Sequence, residues 1–294
     1  MKVPAGLRVG VCSHTGLLRG ANEDDYLLAT PPRVVGAAFV AAVADGMGGA
    51  AGGAEASRTA LRALGAVLLE GEVDGEADAR MRDGFLQANA RVFESATAVP
   101  ALRDMGTTLT ALWIGEGVGV CGHIGDSRLY RIRGDGCEVL TVDHAVKQGE
   151  SLLTRCIGGG QIECEPDEDT FDVVAGDRFV LCTDGVWNVV DPDDFAALAQ
   201  ERDPQQSAER LVRRALDEGG PDNATAVVVD VIDPRLSENR EVDLPRHERP
   251  DARSLWPHAG SLGSPVWPWL LLAVALVVLA WSVLRWLGVE FRAW

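Results

Sequence analysis

Apolar residues run along this chain in two rhythms, and the change between them falls at a glycine-rich stretch. The run Val34–Val43 is almost continuously hydrophobic and predicts a buried strand. Asp45-Gly46-Met47-Gly48-Gly49-Ala50-Ala51-Gly52-Gly53 follows it. Beyond the glycines, Ala56, Ala60, Ala63, Leu64 and Val67 recur at helical spacing over 55–69, and Met81, Phe85, Ala88 and Val92 repeat that period over 76–96. Upstream, 7–12 and 26–29 read as short strands, parted by the polar, turn-rich segment Thr15–Asp25.

From Gly106 the texture changes to short strands and tight turns. Segments 107–114, 117–124, 128–133 and 137–140 fit a meander, with Gly-Glu-Gly and Gly-Asp-Gly as turns. Segments 170–174 and 177–182 add two strands, 192–200 and 204–217 read as helices, and the β-branched run 223–232 closes the domain. Two consecutive helices after a strand pair argue against a simple β-α-β repeat. The pattern predicts an α+β fold of antiparallel sheets with helices on their outer faces.

Residues 234–265 are rich in proline, serine and charge without periodicity and read as a flexible linker after a domain spanning 1–233. Val266–Leu284 then runs nineteen residues without a charge, close to the roughly 20 that cross a bilayer as a helix. Trp267, Trp269, Trp281 and Trp286 lie near its ends, where aromatic belts sit. Residues 266–287 are therefore expected to be a transmembrane helix and 288–294 a short tail. Arg246, Arg249 and Arg253 precede the span, and the N-terminus lacks the apolar core of a signal peptide. Both features place the large domain on the cytoplasmic side of an inner membrane, anchored by a single pass.

A formal charge of -17 disfavours a nucleic-acid partner, because phosphate backbones are met by Lys and Arg. Six cysteines occur without a CxxC, so a finger-type zinc site is not expected and free thiols are. The acidity becomes informative where it is placed. Asp45, Asp126 and Asp184 each end an apolar run, and Asp222 opens the last one; Glu23-Asp24 adds a further acidic pair. A carboxylate at the end of a buried strand is costly unless a cation compensates it. Several together, with no matching run of Lys or Arg, suggest a divalent ion, and hard oxygen ligands point to magnesium or manganese. Each Asp-Gly alone would be read as an ordinary turn.

Gly46-Met47-Gly48-Gly49-Ala50-Ala51 also fits G-x-G-x-x-A between a strand and a helix, the dinucleotide fingerprint. Asp45 would set a negative charge against the pyrophosphate, and a second helix stands where a parallel strand should follow. That reading is set aside, and no Gly-Lys-Ser/Thr of a P-loop is present.

Taken in order, Thr15-Gly16, Arg19, Asn22-Glu23-Asp24, Asp45-Gly46-Met47-Gly48-Gly49, Gly106-Thr107-Thr108, Gly125-Asp126-Ser127-Arg128, Asp143-His144, Asp184-Gly185 and Asp222-Asn223-Ala224-Thr225 resemble metal-dependent type 2C serine/threonine protein phosphatases, in particular the bacterial branch. The resemblance covers about residues 7–232. It implies a four-layer α-β-β-α sandwich of two antiparallel sheets flanked by helices, with a centre of two manganese or magnesium ions and a third, weaker one. By position, Asp45 would bridge two ions with the Gly46 carbonyl on one of them. Asp184 and Asp222 would bind the second, and Asp126 with Asp184 the third. Glu23 and Asp24 would act from the second shell, and Arg19 would hold the substrate phosphate. The implied reaction is hydrolysis of phosphoserine and phosphothreonine by direct attack of a metal-bridging hydroxide, catalysed through Asp45, Asp184 and Asp222. The implied partners are phosphorylated proteins and a cognate Ser/Thr kinase. The sequence departs from relatives in two places: eukaryotic members carry His where Met47 stands, and the segment after Asp143-His144 is shorter than usual. A catalytically inactive phosphoprotein-binding module is the alternative.

Overall fold

The computed structural model describes residues 1–31, 37–70, 77–148, 150–160, 164–201, 203–236, 239–242 and 244. Two compact units are present, Met1–His247 and Glu248–Trp294. The second unit, with the expected transmembrane segment, lies outside the described residues, among which no helix is long and apolar enough to cross a membrane.

The first unit runs β1 (Leu7–His14), β2 (Asp25–Ala29), β3 (Ala38–Ala44), α1 (Ala50–Glu70), α2 (Ala77–Ala98), β4 (Leu109–Gly115), β5 (Val118–Ile124), β6 (Arg128–Arg133), β7 (Gly136–Val139), β8 (Asp167–Asp172), β9 (Arg178–Cys182), α3 (Asp184–Trp187), α4 (Pro192–Ala199), α5 (Pro204–Asp217) and β10 (Ala224–Val231). Two five-stranded antiparallel sheets form, in the orders β7-β6-β9-β10-β1 and β8-β5-β4-β3-β2.

Alternation along the central strands shows why the sequence builds layers. In β3, Phe39, Ala41 and Val43 enter the core between the sheets, while Val40, Ala42 and Ala44 enter a second core under α1 and α2. In β10, Val227, Val229 and Val231 face the inter-sheet core, while Ala224, Ala226 and Val228 pack under α3, α4 and α5. Strands covered on both faces read as continuous apolar runs, which is the pattern these two segments carry. The helices start where their caps allow. Asp191 accepts from the Asp193 amide ahead of α4, and Asp203 accepts from the Gln205 and Gln206 amides ahead of α5, each followed by proline at the first helical turn. The α-β-β-α architecture expected from the sequence is thus the observed one.

Three expectations are corrected. The supposed meander is split, because β4 and β5 belong to one sheet and β6 and β7 to the other. The chain changes sheets at Gly125-Asp126-Ser127, where Gly125 adopts φ 111°. The strand expected over 107–114 breaks at Thr108. Gly106–Thr107 instead pairs with Gly46–Met47 and Ile157–Gly158 in a small three-stranded sheet. The short segment after His144 is a β-hairpin, Ala145–Gln148 against Glu150–Leu153. Finally, the domain continues past 233. Asn239–Glu241 pairs with Lys2–Pro4, and Leu236, Val242 and Leu244 join the inter-sheet core. Backbone pairing needs no hydrophobic alternation, so this strand leaves little trace in the sequence.

Phe179 is fully buried between the sheets. Phe179→Ala should lower unfolding free energy by about 3–5 kcal/mol, read from the midpoint of urea denaturation at unchanged slope.

Candidate active site

Strand ends of both sheets meet at one edge of the sandwich. Asp45 follows β3 by one residue, and its peptide is fixed on both sides. Its N–H donates to Thr108 Oγ1 at 2.9 Å, and its carbonyl accepts from Thr107 Oγ1 at 2.8 Å and the Thr108 amide at 2.9 Å. The broken strand at Thr107-Thr108 therefore supplies three bonds that orient Asp45. Gly46 next donates to the Glu23 carbonyl at 3.2 Å. A Cβ on Gly46 would lie 2.1 Å from the Gly53 carbonyl oxygen, so only glycine lets α1 approach this turn.

Asp184 opens α3 directly after β9 and Thr183. A Cβ on Gly185 would fall 1.9 Å from the Asn223 carbonyl oxygen. This contact brings the Asp184 turn against Asp222-Asn223. Asn223 is a side-chain clip: its Oδ1 accepts from the Glu23 amide at 2.8 Å, and its Nδ2 donates to the carbonyls of Thr15 at 2.7 Å and Ala21 at 2.9 Å. Asn223 thus helps to fasten the loop carrying Arg19 to the other end of the chain, together with the Leu17 amide, which donates to the Gly220 carbonyl at 2.8 Å. Arg19 Nη2 donates to Asp222 Oδ2 at 2.7 Å.

Asp24 is more central than the sequence suggested. It is buried, and its Oδ2 accepts from Thr183 Oγ1 at 2.8 Å and Thr225 Oγ1 at 2.7 Å. It therefore links the end of β2 in one sheet to β9 and β10 in the other. Asp126, also buried, sits on the crossover between sheets, and its carbonyl accepts from Trp187 Nε1 at 2.9 Å.

The carboxylates feel one another. Asp45 is raised well above the ordinary range by burial first, then by the neighbouring carboxyls of Asp24, Asp184 and Asp222. Asp184 is raised by burial and by Asp222. Burial pushes Asp24 up to about 7 against the two threonine hydroxyls, with Asp184 and Asp222 adding to the rise. Asp126 is also pushed up to about 7, by burial and then by Asp184 and Asp143. Glu23 is raised by burial, an effect that Arg19 opposes. The structure thus brings Asp45, Asp184, Asp222, Asp24, Glu23 and Arg19 into one electrostatic cluster, with Asp126 joined through Asp184.

Among the described residues no three His, Cys, Asp or Glu side chains form a ready-made ion cage. The chemistry of the donors nonetheless fits hard divalent cations. Asp24 Oδ1 and Asp184 Oδ1 are buried without an amide, hydroxyl or guanidinium donor, and the cluster consists of oxygen donors with raised proton affinity. A cation among them would relieve both the repulsion and the unmet hydrogen bonding.

Met47 and His123 are excluded as proton donors to a substrate at this edge. A Cβ on Gly106 would meet Met47 Cε at 2.8 Å, so the thioether packs over the small three-stranded sheet. His123 is buried, with Thr110 Oγ1 at 2.9 Å from Nδ1 and the Val142 carbonyl at 3.1 Å from Nε2, and burial pushes it down to about 4. Residues that sequence reasoning left without a role here are Thr107, Thr108, Thr183, Thr225, Asn223 and Trp187. Several stand in the quoted motifs, but only the fold shows that they orient carboxylates.

Comparison with known proteins agrees with this geometry. The protein phosphatase 2C family profile matches residues 15–219, and the chain belongs to that family. Over 250 residues it is 35% identical to the serine/threonine protein phosphatase PstP of Mycobacterium tuberculosis, a match covering 79% of this chain and 46% of that protein. The chain thus spans about half the length of that relative. It is 31% identical over 206 residues to the protein phosphatase PhpP of Streptococcus pneumoniae, covering 64% and 83% of the two chains. The crystal structure of the PstP catalytic domain in complex with two manganese ions superposes with a TM-score of 0.68 at 33% identity, over 79% of this chain and 100% of that one. The Mycobacterium smegmatis phosphatase MsPP, in complex with cacodylate, gives 0.65 at 34% identity, over 76% and 97%.

Carboxyls raised in the folded state keep protons that the unfolded chain releases, so they destabilise the fold as pH rises through about 7. His123, lowered from 6.5 to about 4, has the opposite slope but only below 6.5. In EDTA, melting temperature should therefore fall between about pH 6.5 and 8, and Asp126→Asn should flatten that fall. A flat or rising profile for the unsubstituted protein would contradict the assignment.

Proposed function

We propose that this protein is a manganese- or magnesium-dependent phosphatase that hydrolyses phosphoserine and phosphothreonine in proteins and is held at a membrane by residues 266–287. The observation that carries the activity is the convergence of Asp45, Asp126, Asp184 and Asp222 at one edge, with buried, donor-less oxygens on Asp24 and Asp184. Paired divalent cations bound there would supply an activated water and neutralise charge on the transferring phosphoryl group.

The protein's own groups take the remaining tasks. Asp45 would lie between two ions with the Gly46 carbonyl beside it, Asp184 and Asp222 would hold the second, and Asp126 with Asp184 a weaker third. Asp24 would keep the two sheets in register at the site through Thr183 and Thr225, and Glu23 would stand beside Arg19 and Asp222 at the same edge. Arg19 presents a planar fork suited to a phosphate dianion. Its pairing with Asp222 means that substrate phosphate would exchange for one carboxylate on the same guanidinium. Thiol chemistry has no part in this reading, because burial in the strands pushes Cys121 up to about 12 and Cys182 higher still.

The substrates are phosphorylated proteins, so a Ser/Thr kinase is the partner the reaction requires. The uncharged segment Val266–Leu284 supports the tether, and anchoring would raise the effective concentration of membrane-borne substrates. The arginines before the span support a cytoplasmic catalytic unit at an inner membrane.

The full chain in detergent should hydrolyse a phosphothreonine peptide with manganese and not in EDTA. Asp45→Asn should lower kcat at least about 100-fold, since even residues behind a metal's ligands commonly cost 10–100-fold. Arg19→Ala should act mainly on KM. Metal-independent turnover would contradict the proposal, and tight manganese binding without turnover would favour the phosphoprotein-binding module. Deleting 248–294 should move the protein from the membrane pellet to the supernatant while peptide turnover stays within about twofold, as expected if the two parts act independently. Retention in the pellet would count against the tether.

A further inference from the structure

Asp126 stands on a crossover that has no sheet of its own to hold it, and a buried polar network outside the carboxylate cluster takes that role. The loop Gly125-Asp126-Ser127 is bonded at each residue. Gly125 is gripped by a single residue, His144, from both sides of its peptide. The Gly125 carbonyl accepts from the His144 amide at 2.7 Å, and the Gly125 N–H donates to His144 Nδ1 at 3.1 Å. The Ser127 carbonyl accepts from Thr110 Oγ1 at 2.9 Å, and Ser127 Oγ lies 2.7 Å from Thr108 Oγ1. Thr108 Oγ1 is also the acceptor for the Asp45 amide. Asp126 and Asp45 are thereby set relative to each other through two hydroxyls.

The orientation of the imidazole follows from its partners. An amide can only donate, so Nδ1 must be an acceptor and Nε2 carries the ring proton. Nε2 then donates to Asp167 Oδ2 at 2.9 Å; Arg155 Nη1, which also lies 2.9 Å from Nε2 and can only donate, directs a hydrogen to Oδ1 of the same carboxylate at 2.7 Å. The ring packs against His123 with centroids 4.8 Å apart, and the residue is buried. A carboxylate that orients a histidine, which in turn orients another group, is a familiar way to sharpen a metal site from behind. Here the oriented group is a peptide and not the ion.

We propose that His144 is a positioning residue for Asp126, setting the loop so that its carboxylate can share a weaker third ion with Asp184. This rests on the metal-dependent reading of the site. It assigns a task to the Asp143-His144 motif, which touches none of the clustered carboxylates of Asp45, Asp184 or Asp222 by hydrogen bond.

The test uses three His144 variants of the full chain in detergent, with Asp126→Asn as the reference, bound manganese counted by electron paramagnetic resonance and folding checked by thermal melting. The Oδ1 of asparagine falls near the Nδ1 position of histidine, whereas the amide of glutamine falls near Nε2. His144→Asn should therefore keep the acceptor for Gly125 and bind the weak ion like the unsubstituted protein. His144→Gln and His144→Leu should weaken that ion about 10-fold or more while leaving the two tighter ones in place, as Asp126→Asn should. Hydrogen exchange of the peptide containing Gly125, followed without metal, should accelerate in the Gln and Leu variants and not in Asn. Equal weakening in Asn and Leu, or an unchanged weak site in a folded Gln variant, would overturn the proposal. If the unsubstituted protein binds no manganese, the metal reading itself falls; normal binding with indifferent His144 variants would remove only the positioning role.

Discussion

Two sheets meet at one edge of this fold with several carboxyls turned toward the same small volume, and those carboxyls repel. Burial and mutual charge raise Asp45, Asp184, Asp24 and Asp126 together. Everything local is arranged to keep them there despite that repulsion. Thr107 and Thr108 hold the Asp45 peptide, Thr183 and Thr225 hold Asp24, Asn223 fastens the Arg19 loop, and His144 and Trp187 hold the Asp126 loop. These neutral hydrogen bonds orient the carboxylates and leave most of their negative charge unanswered. A site built in this way is structurally committed to a cation.

The sandwich explains how so much charge can be gathered. Its three hydrophobic layers are filled by the alternating faces of β3, β9 and β10, so each strand end is fixed by core packing well away from the polar edge. Glycines at 46 and 185 then allow backbone to approach backbone where any side chain would collide. Packing fixes position, and hydrogen bonds fix orientation. The family membership, and the two manganese ions in the related mycobacterial catalytic domain, agree with this division of labour.

Much of this was legible in the sequence. The continuous apolar runs before Asp45 and after Asp222 announced strands buried on both faces, and the helix over 204–217 was read to its ends, whereas the helix expected over 55–69 starts five residues earlier, at Ala50 inside the glycine-rich stretch. The acidic positions were found because each interrupts an apolar run. The rest depended on long-range pairing that no local pattern records. Nothing in Gly125-Asp126-Ser127 says that the chain leaves one sheet for another, so four strands looked like one meander. Asp24 looked peripheral beside Glu23, because its two threonine partners lie 159 and 201 residues away. Met47 had no chemical role to find; its thioether fills the space over Gly106. Asn239–Glu241 pairs with Lys2–Pro4 and is as polar and charged as the residues read as a linker, so its sequence gives no sign of a strand.

The central claim is that the strand-end aspartates hold divalent cations. Anomalous X-ray scattering at the manganese edge, from crystals grown with manganese, tests it without reference to turnover. The account predicts two strong peaks in contact with Asp45, one of them shared with Asp184 and Asp222, and a weaker third at Asp126. An edge without anomalous peaks at saturating manganese, with Arg19 still bonded to Asp222, would contradict it.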